Sequence, residues 1–326
     1  MVKNTFFQNK VLHSYSIQYK KQNYYRNMII VNIKNGLGNQ MFQYTFGKVI
    51  EWKYQTQVYY DLLRDDISTP LHTDLDAFNI EPILEAEPQW RIPFLPFSVR
   101  QFRDNKQYIH YIYYKLRRTF QPNKLITERY PSKYIKLFDK IDLNKKYYFL
   151  GFWQNPAYFI GYEEKIKKFF IPKDKSIFET ADAVEILNSS YNTISLHFRL
   201  GDYKTSGFIE PAGMDYYYQA IDIIKQKVKN PFFYIFTDEP EWVKNEMKIN
   251  IPYKLITGNT DADAYIDILL MSKCKHNIMA NSSFSWWGAW LNENPDKCVI
   301  APKKWYADKK RNKYISEITP KEWIRL

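Results

Sequence analysis

Cysteine and glycine are scarce in this chain, and acidic residues are outnumbered. Two cysteines, Cys274 and Cys298, among 326 residues exclude a disulfide scaffold, and no Cys-x-x-Cys pair or His/Cys cluster suggests zinc. A reducing, cytoplasmic setting is expected. Ten glycines and sixteen prolines are too few for a low-complexity chain, and no internal repeat is visible. No apolar run approaches the roughly 20 residues that a membrane span needs. Residues 1–27 lack the uninterrupted apolar stretch of a secretory signal. What is left is an ordinary folded protein, 45% hydrophobic and long enough for two α/β domains.

The shortage of acid leaves a net charge of +12. Lys3, Lys10, Lys20, Lys21 and Arg26 lie in residues 1–27, which contain no acid. Met28 then opens the first clean strand pattern, Met28-Ile29-Ile30-Val31-Asn32-Ile33. Residues 1–27 read either as an extension outside the fold, upstream of a natural start at Met28, or as an N-terminal helix or arm. A second basic stretch, at 100–124, interleaves Arg100, Arg103, Arg117 and Arg118 with Tyr108, Tyr111, Tyr113 and Tyr114. Such mixtures stack on nucleic acid or rest on an anionic membrane surface. With 28 tyrosines spread through the chain, a solvated helix face comes first. Peripheral contact with the inner face of a membrane comes second. No nucleic-acid partner is expected, since no recognised motif accompanies the charge.

From Met28 onward strands and helices alternate. Strands are expected at 28–34, 58–60, 147–150, 193–199, 232–237, 253–256, 277–280 and 298–301. Helices are expected from Met41 to about Tyr54 and at 214–229, 240–248, 262–273 and 284–292. Alternating βα units imply parallel sheets, and the segment from Pro172 to Ser176 is the best linker. The reading is an α/β protein of two Rossmann-like domains facing a cleft, spanning residues 28–172 and 173–326. Residues 61–145 show no clear pattern.

In such sheets ligands bind beyond the carboxyl ends of the strands, so the residues that follow each strand are the informative ones. After the first comes Gly36-Leu37-Gly38-Asn39-Gln40, a glycine turn with two amide side chains; a lone Gly-x-Gly is a weak signal. After Thr193-Ile194-Ser195-Leu196 come His197 and Arg199, on one face by alternation. An arginine fork there suits a pyrophosphate, and a structural bridge to Asp202 is the alternative. Asp238, in Thr237-Asp238-Glu239-Pro240, caps a helix or touches a ligand. Asp267 interrupts the apolar run Ile266–Met271, which is costly unless the acid is paired. Accepting from N1–H and the exocyclic amine of guanine is one account, and a salt bridge to Lys273 or Lys275 is the other. Asn281-Ser282-Ser283-Phe284 opens a helix directly after a buried strand, offering N–H groups and hydroxyls to a phosphate. The pairs Asp74-Leu75-Asp76 and Asp261-Ala262-Asp263 follow no apolar strand and read as incidental rather than metal-binding.

Taken together these residues resemble glycosyltransferase family 11, the bacterial α-1,2-fucosyltransferases. The likeness runs from Gly36-Leu37-Gly38-Asn39-Gln40-Met41-Phe42-Gln43-Tyr44 through Phe78-Asn79-Ile80, Gly151-Phe152-Trp153-Gln154 and His197-Phe198-Arg199-Leu200-Gly201-Asp202-Tyr203. It continues through Phe236-Thr237-Asp238-Glu239-Pro240 to the run from Asp267 to Leu291. The resemblance implies a GT-B fold and inverting transfer of fucose from GDP-fucose to the 2-hydroxyl of a galactoside, in an oligosaccharide or lipid-linked glycan. It implies no metal and no other cofactor. Arg199 would meet the β-phosphate, His197 and Asp267 the guanine, and Asn281, Ser282, Ser283 and Phe284 the rest of the donor. Gly36, Gly38, Asn39 and Gln40 would close over donor and acceptor. Asp202 is a candidate base and His72 another. One departure stands out: the family's His-x-Arg-Arg-Gly-Asp loop has Leu200 for its second arginine, which points to weaker donor binding or a different donor sugar. A transferase using another nucleotide-sugar, and a non-catalytic protein of this fold that binds glycan or nucleic acid, are the alternatives.

Overall fold

The computed structural model describes residues 28–62, 73–86, 124–128, 133–201, 209–259 and 261–326. Expectations for residues 1–27, for most of 100–124, and for His72 and Asp202 fall outside them. Two parallel sheets form the frame. The first has the order β2-β1-β4-β3, with β1 at Ile29–Asn32, β2 at Val58–Asp61, β3 at Lys124–Thr127 and β4 at Tyr147–Leu150. The second comprises β5 (Asn192–Phe198), β6 (Pro231–Thr237), β7 (Tyr253–Leu255), β8 (His276–Ile278), β9 (Val299–Ala301) and β10 (Ile324–Arg325). Its order is β10-β9-β8-β5-β6-β7. Numbered within this unit and read from β7, that is 3-2-1-4-5-6, the Rossmann order. This is an α/β fold of GT-B type, two Rossmann-like units with a cleft between them.

The central strands are buried along their length rather than alternating, as strands covered on both faces must be. All four residues of β1 are buried, and so are six of the seven in β5. Helices supply the cover: α1 (Leu37–Tyr54), α2 (Glu163–Phe169), α3 (Ala181–Leu187), α4 (Met214–Lys227), α5 (Pro240–Glu246), α6 (Ala264–Lys273) and α7 (Ser283–Trp290). No helix among the described residues is long and apolar enough to cross a membrane. Two strands were not anticipated, β3 and β10, because each is short and follows no readable periodicity. Helix α1 also starts at Leu37 rather than Met41, so Leu37-Gly38-Asn39-Gln40 form its first turn and not a loop.

The reason for that early start is packing. A Cβ on Gly38 would lie 2.6 Å from Phe284 N and 2.7 Å from the Ser283 carbonyl carbon. Gly38 is therefore a contact point between the first turns of α1 and α7. Behind it, Phe42 of α1 meets Trp286 and Trp287 of α7 at centroid distances of 4.6 and 4.9 Å, and Trp287 Nε1 donates to the Gly38 carbonyl at 3.0 Å. Aromatic pairs of this kind contribute about 0.5–1.5 kcal/mol each beyond their area. One apolar core consequently runs through both units, from Val31 and Phe42 to Trp286, Trp287 and Trp323. The chain end also returns to the first unit, where Glu317 accepts from Tyr134 N and Asn155 Nδ2.

Alanine in place of an ordinary helical glycine stabilises by about 0.8–1 kcal/mol. Gly38→Ala is expected to do the reverse, lowering stability by about 1–3 kcal/mol, since the added methyl meets backbone that has no room to move. Urea denaturation of both proteins reads the sign directly.

Candidate active site

Each sheet has one point where the chain reverses its direction of winding, between β1 and β4 in the first and between β5 and β8 in the second. The helices leaving such a pair of strands diverge to opposite faces, so a crevice opens between the two loops. Here the two crevices face one another. A cavity of about 500 Å³ lies between the units, lined by Asn35 and Gly36 after β1, Phe152 and Gln154 after β4, Arg199 after β5, and Asn281, Ser282, Ser283 and Phe284 after β8. Leu37, Gly38 and Asn39 of α1, with Asp74, Ile209, Ala264, Trp305 and Tyr306, complete the wall. Two of the lining segments hold left-handed backbone at non-glycine residues, Asn35 (φ 67°) and Trp153 (φ 56°). Trp153 is fully buried, stacked on Phe46 at 4.6 Å, and this anchors the turn that sets Phe152 and Gln154 on the cavity wall.

Arg199 is the one cationic side chain among the described lining residues. Its Nε lies 3.3 Å from Asp238 Oδ2. The same carboxylate accepts from the N–H groups of Leu200 and Gly201 at 2.9 and 3.0 Å. Asp238 therefore shapes the 199–201 turn and steers the guanidinium; it does not itself line the cavity. Leu200 is buried in the apolar core of the second unit, so its side chain adds nothing to the cavity wall. His197 lies in β5 behind the wall, its ring 5.8 Å from that of Phe284. Burial, and then the charge of Arg199, push its imidazole down to about 3, with Asp238 pulling the other way. It is neutral at any physiological pH, and its buried Nδ1 has no hydrogen-bond partner among the described residues.

The opening of α7 is a shared corner. Ser282 is the N-cap and accepts from Phe284 N at 3.3 Å, satisfying one of the N–H groups that a helix start leaves over. Ser283 Oγ donates to Asn39 Oδ1 at 2.9 Å, and Gln154 Nε2 donates to the same oxygen at 2.7 Å. Three strand-end segments are thus tied together at one amide. Asn281 Nδ2 donates to the carbonyls of Glu210 and Trp305 at 2.8 and 3.1 Å, which holds the wall formed by Ile209, Trp305 and Tyr306.

Gln40 does not reach the cavity. It is buried in α1, where Nε2 donates to Asn35 O at 2.8 Å and Oε1 accepts from Asp74 N at 3.2 Å. Its role is to hold Asp74. The Asp74-Leu75-Asp76 pair does not converge as a chelate would, since Asp74 lines the cavity while Asp76 is exposed. Asp74 follows no apolar strand, so its local sequence carries no strand-end signal. Gln154, Trp305 and Tyr306 were within reach of the strand-end rule applied to β4 and β9. Ile209 and Ala264 carried no local signal.

Asp267 sits on α6 one turn beyond Ala264, a cavity residue, and is thus on the same helix face. Its Oδ1 accepts from Asn259 Nδ2 at 2.7 Å. The alternative of a salt bridge is not realised: Lys273 Nζ lies over the Phe178 ring, and Lys275 Nζ donates to Tyr191 O. Burial pushes the Asp267 carboxyl up to about 7, opposed by the Asn259 hydrogen bond and assisted by Asp182. Since the folded value exceeds the ordinary 3.8, the folded state holds this proton longer than the unfolded chain does. Stability from that proton is complete below about pH 4 and is lost as pH rises through about 7. Asp267→Asn should melt with the wild type at pH 4 and above it at pH 8, as paired calorimetric scans would record. A difference independent of pH would remove the titration from this position.

The sequence profile described as Glycosyl transferase family 11 matches residues 112–326. An α-1,2-colitosyltransferase of Escherichia coli is 31% identical over 313 residues, covering 92% of this chain and 99% of that one. The O-antigen biosynthesis glycosyltransferase WbnK, also of E. coli, is 28% identical over 320 residues, covering 90% and 99%. Among solved structures, an α-1,6-fucosyltransferase, NodZ, soaked with GDP-fucose, aligns at 16% identity and a TM-score of 0.46, covering 82% of this chain and 92% of its own. By the profile, and by identity along nearly the whole length of its relatives, this chain belongs to glycosyl transferase family 11.

Proposed function

We propose that this transferase moves a 6-deoxyhexose, fucose in the first instance, from its GDP ester to the 2-hydroxyl of a galactoside in a surface glycan, with inversion and without a metal. The observation that carries the reading is the single cavity built from the switch-point ends of both sheets, with Arg199 and the start of α7 on one side of it. When the sugar–phosphate bond breaks, negative charge collects on the departing diphosphate. Arg199 and the N–H and hydroxyl groups at Ser282 and Ser283 would receive it. Guanine would lie toward His197 and Asp267. A buried ring nitrogen without a partner is costly and fits a group reserved for a ligand. Only the ionised Asp267 carboxylate accepts from both N1–H and the amine, so GDP affinity should fall as pH drops below about 7 and should be lost in Asp267→Asn.

A second donor sugar has its own support. The relative at 31% identity is described as a colitosyltransferase, and colitose is fucose without its 3-hydroxyl. Leu200, in place of a polar loop residue, is consistent with either sugar. The decisive experiment measures nucleotide release from GDP-fucose, GDP-colitose, GDP-mannose and UDP-sugars over a panel of β-galactosides. Turnover confined to GDP-colitose would move the donor; nucleotide binding without turnover of any donor would favour a non-catalytic glycan binder.

With the donor fixed, Arg199→Ala should lower kcat/KM by about 10²-fold or more, the usual effect of removing one preorganised charge donor. Transfer should persist in excess EDTA. Loss of activity in EDTA with recovery on Mn²⁺ would contradict the metal-free reading.

A further inference from the structure

We propose that Asp74 is the general base that takes the proton from the acceptor hydroxyl, an assignment that rests on the transfer reaction proposed above. Among the described residues lining the cavity, Asp74 is the one carboxylate. The guanidinium of Arg199 has donors only and cannot accept a proton. A carboxylate can.

Its position follows from the backbone. Asp74–Ala77 form one 3₁₀ turn, in which residues three apart eclipse. Phe78 N closes the turn on the Leu75 carbonyl at 3.0 Å, and both side chains are fully buried. They fasten the turn to the core and leave Asp74 on an adjacent face, half-buried at the cavity. The turn is also held from outside, by Asn79 N to Ile171 O at 2.8 Å and Lys173 N to Ala77 O at 2.9 Å. Gln40 completes the support. It accepts from Asp74 N, and its Nε2 lies 3.5 Å from Asp74 Oδ2. A buried amide thus orients the carboxylate from behind, as a preorganised base requires.

The side of the cavity matters as much as the group. Arg199 and the start of α7 belong to the second unit, and Asp74 to the first. An inverting displacement is in-line, so the attacking oxygen and the departing phosphate lie on opposite faces of the sugar carbon. A base must stand on the attacking side, across from the diphosphate donors. In the step, a lone pair of the acceptor oxygen forms the bond to C1 while the hydroxyl proton passes to Asp74. The C1–O bond to the β-phosphate breaks, and its electron pair leaves on the diphosphate beside Arg199. The products are the inverted glycoside, the nucleoside diphosphate and a protonated Asp74 that returns its proton to solvent.

The test compares wild type, Asp74→Asn, Asp74→Glu and Asp202→Asn, with the donor and acceptor found in the screen. Asp74→Asn is expected to lose 10²–10⁴-fold in transfer, to lose the acidic limb of the pH–rate profile, and to bind GDP within about threefold of wild type. Azide, a nucleophile with no proton to give up, should restore nucleotide release to Asp74→Asn. Asp74→Glu should keep part of the activity and the acidic limb, and it serves as the readout should Asp74→Asn fold poorly. Transfer by Asp74→Asn within tenfold of wild type with an unchanged acidic limb overturns the assignment. So does the expected phenotype appearing in Asp202→Asn instead. Absence of wild-type turnover with any sugar nucleotide overturns the transfer reaction itself, and the base with it.

Discussion

The two units meet where the first turns of α1 and α7 touch, and Gly38 is what permits the contact. With no side chain at that position, backbone approaches backbone, and two helix N-termini come together at the rim of one cavity. Each carries a partial positive charge and N–H groups without helical partners. Bringing two such ends together is unfavourable in isolation and favourable around an anion. The aromatic contacts behind them, Phe42 against Trp286 and Trp287, hold the pair in place. Packing and electrostatics thus share a single cause, since closing the core also sets two helix N-termini at the cavity rim.

Asp238 sets the direction of the one cationic side chain among the described lining residues. One carboxylate holds two backbone N–H groups and steers the arginine beside them. Arg199 is then presented to the cavity in a set direction. The burial that keeps His197 neutral raises the Asp267 carboxyl. In both cases, desolvation disfavours the charged form. An acid poised near neutrality behind the cavity wall is a cost to the folded protein that a hydrogen-bond donor placed against it would relieve.

The amide triangle of Asn39, Gln154 and Ser283 has a related role across the cleft. Asn39 Oδ1 receives both donors, so the β1, β4 and β8 ends are coupled by hydrogen bonds as well as by the apolar core. Gln40, next in sequence, turns the other way and holds Asp74. Adjacent amides on the first turn of α1 therefore serve different parts of the site. Helix geometry makes this unavoidable, since neighbouring residues diverge by about 100° around the axis.

Much of the architecture was legible in the sequence because it is written in local terms. Ile29–Val31 is a continuous apolar run, Asn192–Phe198 sets Ile194, Leu196 and Phe198 at alternate positions, and the polar residues beyond such strands mark the carboxyl ends at which open parallel sheets bind. That rule alone located Arg199, Asn281, Ser282, Ser283 and the Gly36–Asn39 segment, all of which line the cavity. It could not tell that Leu37–Gln40 are helical, because the requirement for Gly38 lies in a helix about 245 residues away in the chain. Nor could it separate Asp74 from Asp76, which look alike in sequence and part company only when Leu75 and Phe78 enter the core. The chain by itself determined two Rossmann-like units, their strand ends and the polar residues there. The tertiary structure alone decided which of those residues share a cavity, that Gln40, His197, Asp238 and Asp267 stand behind its wall, and that Asp74 belongs to it. Strand periodicity is set by near neighbours, whereas a cavity is set by which distant backbones can approach each other.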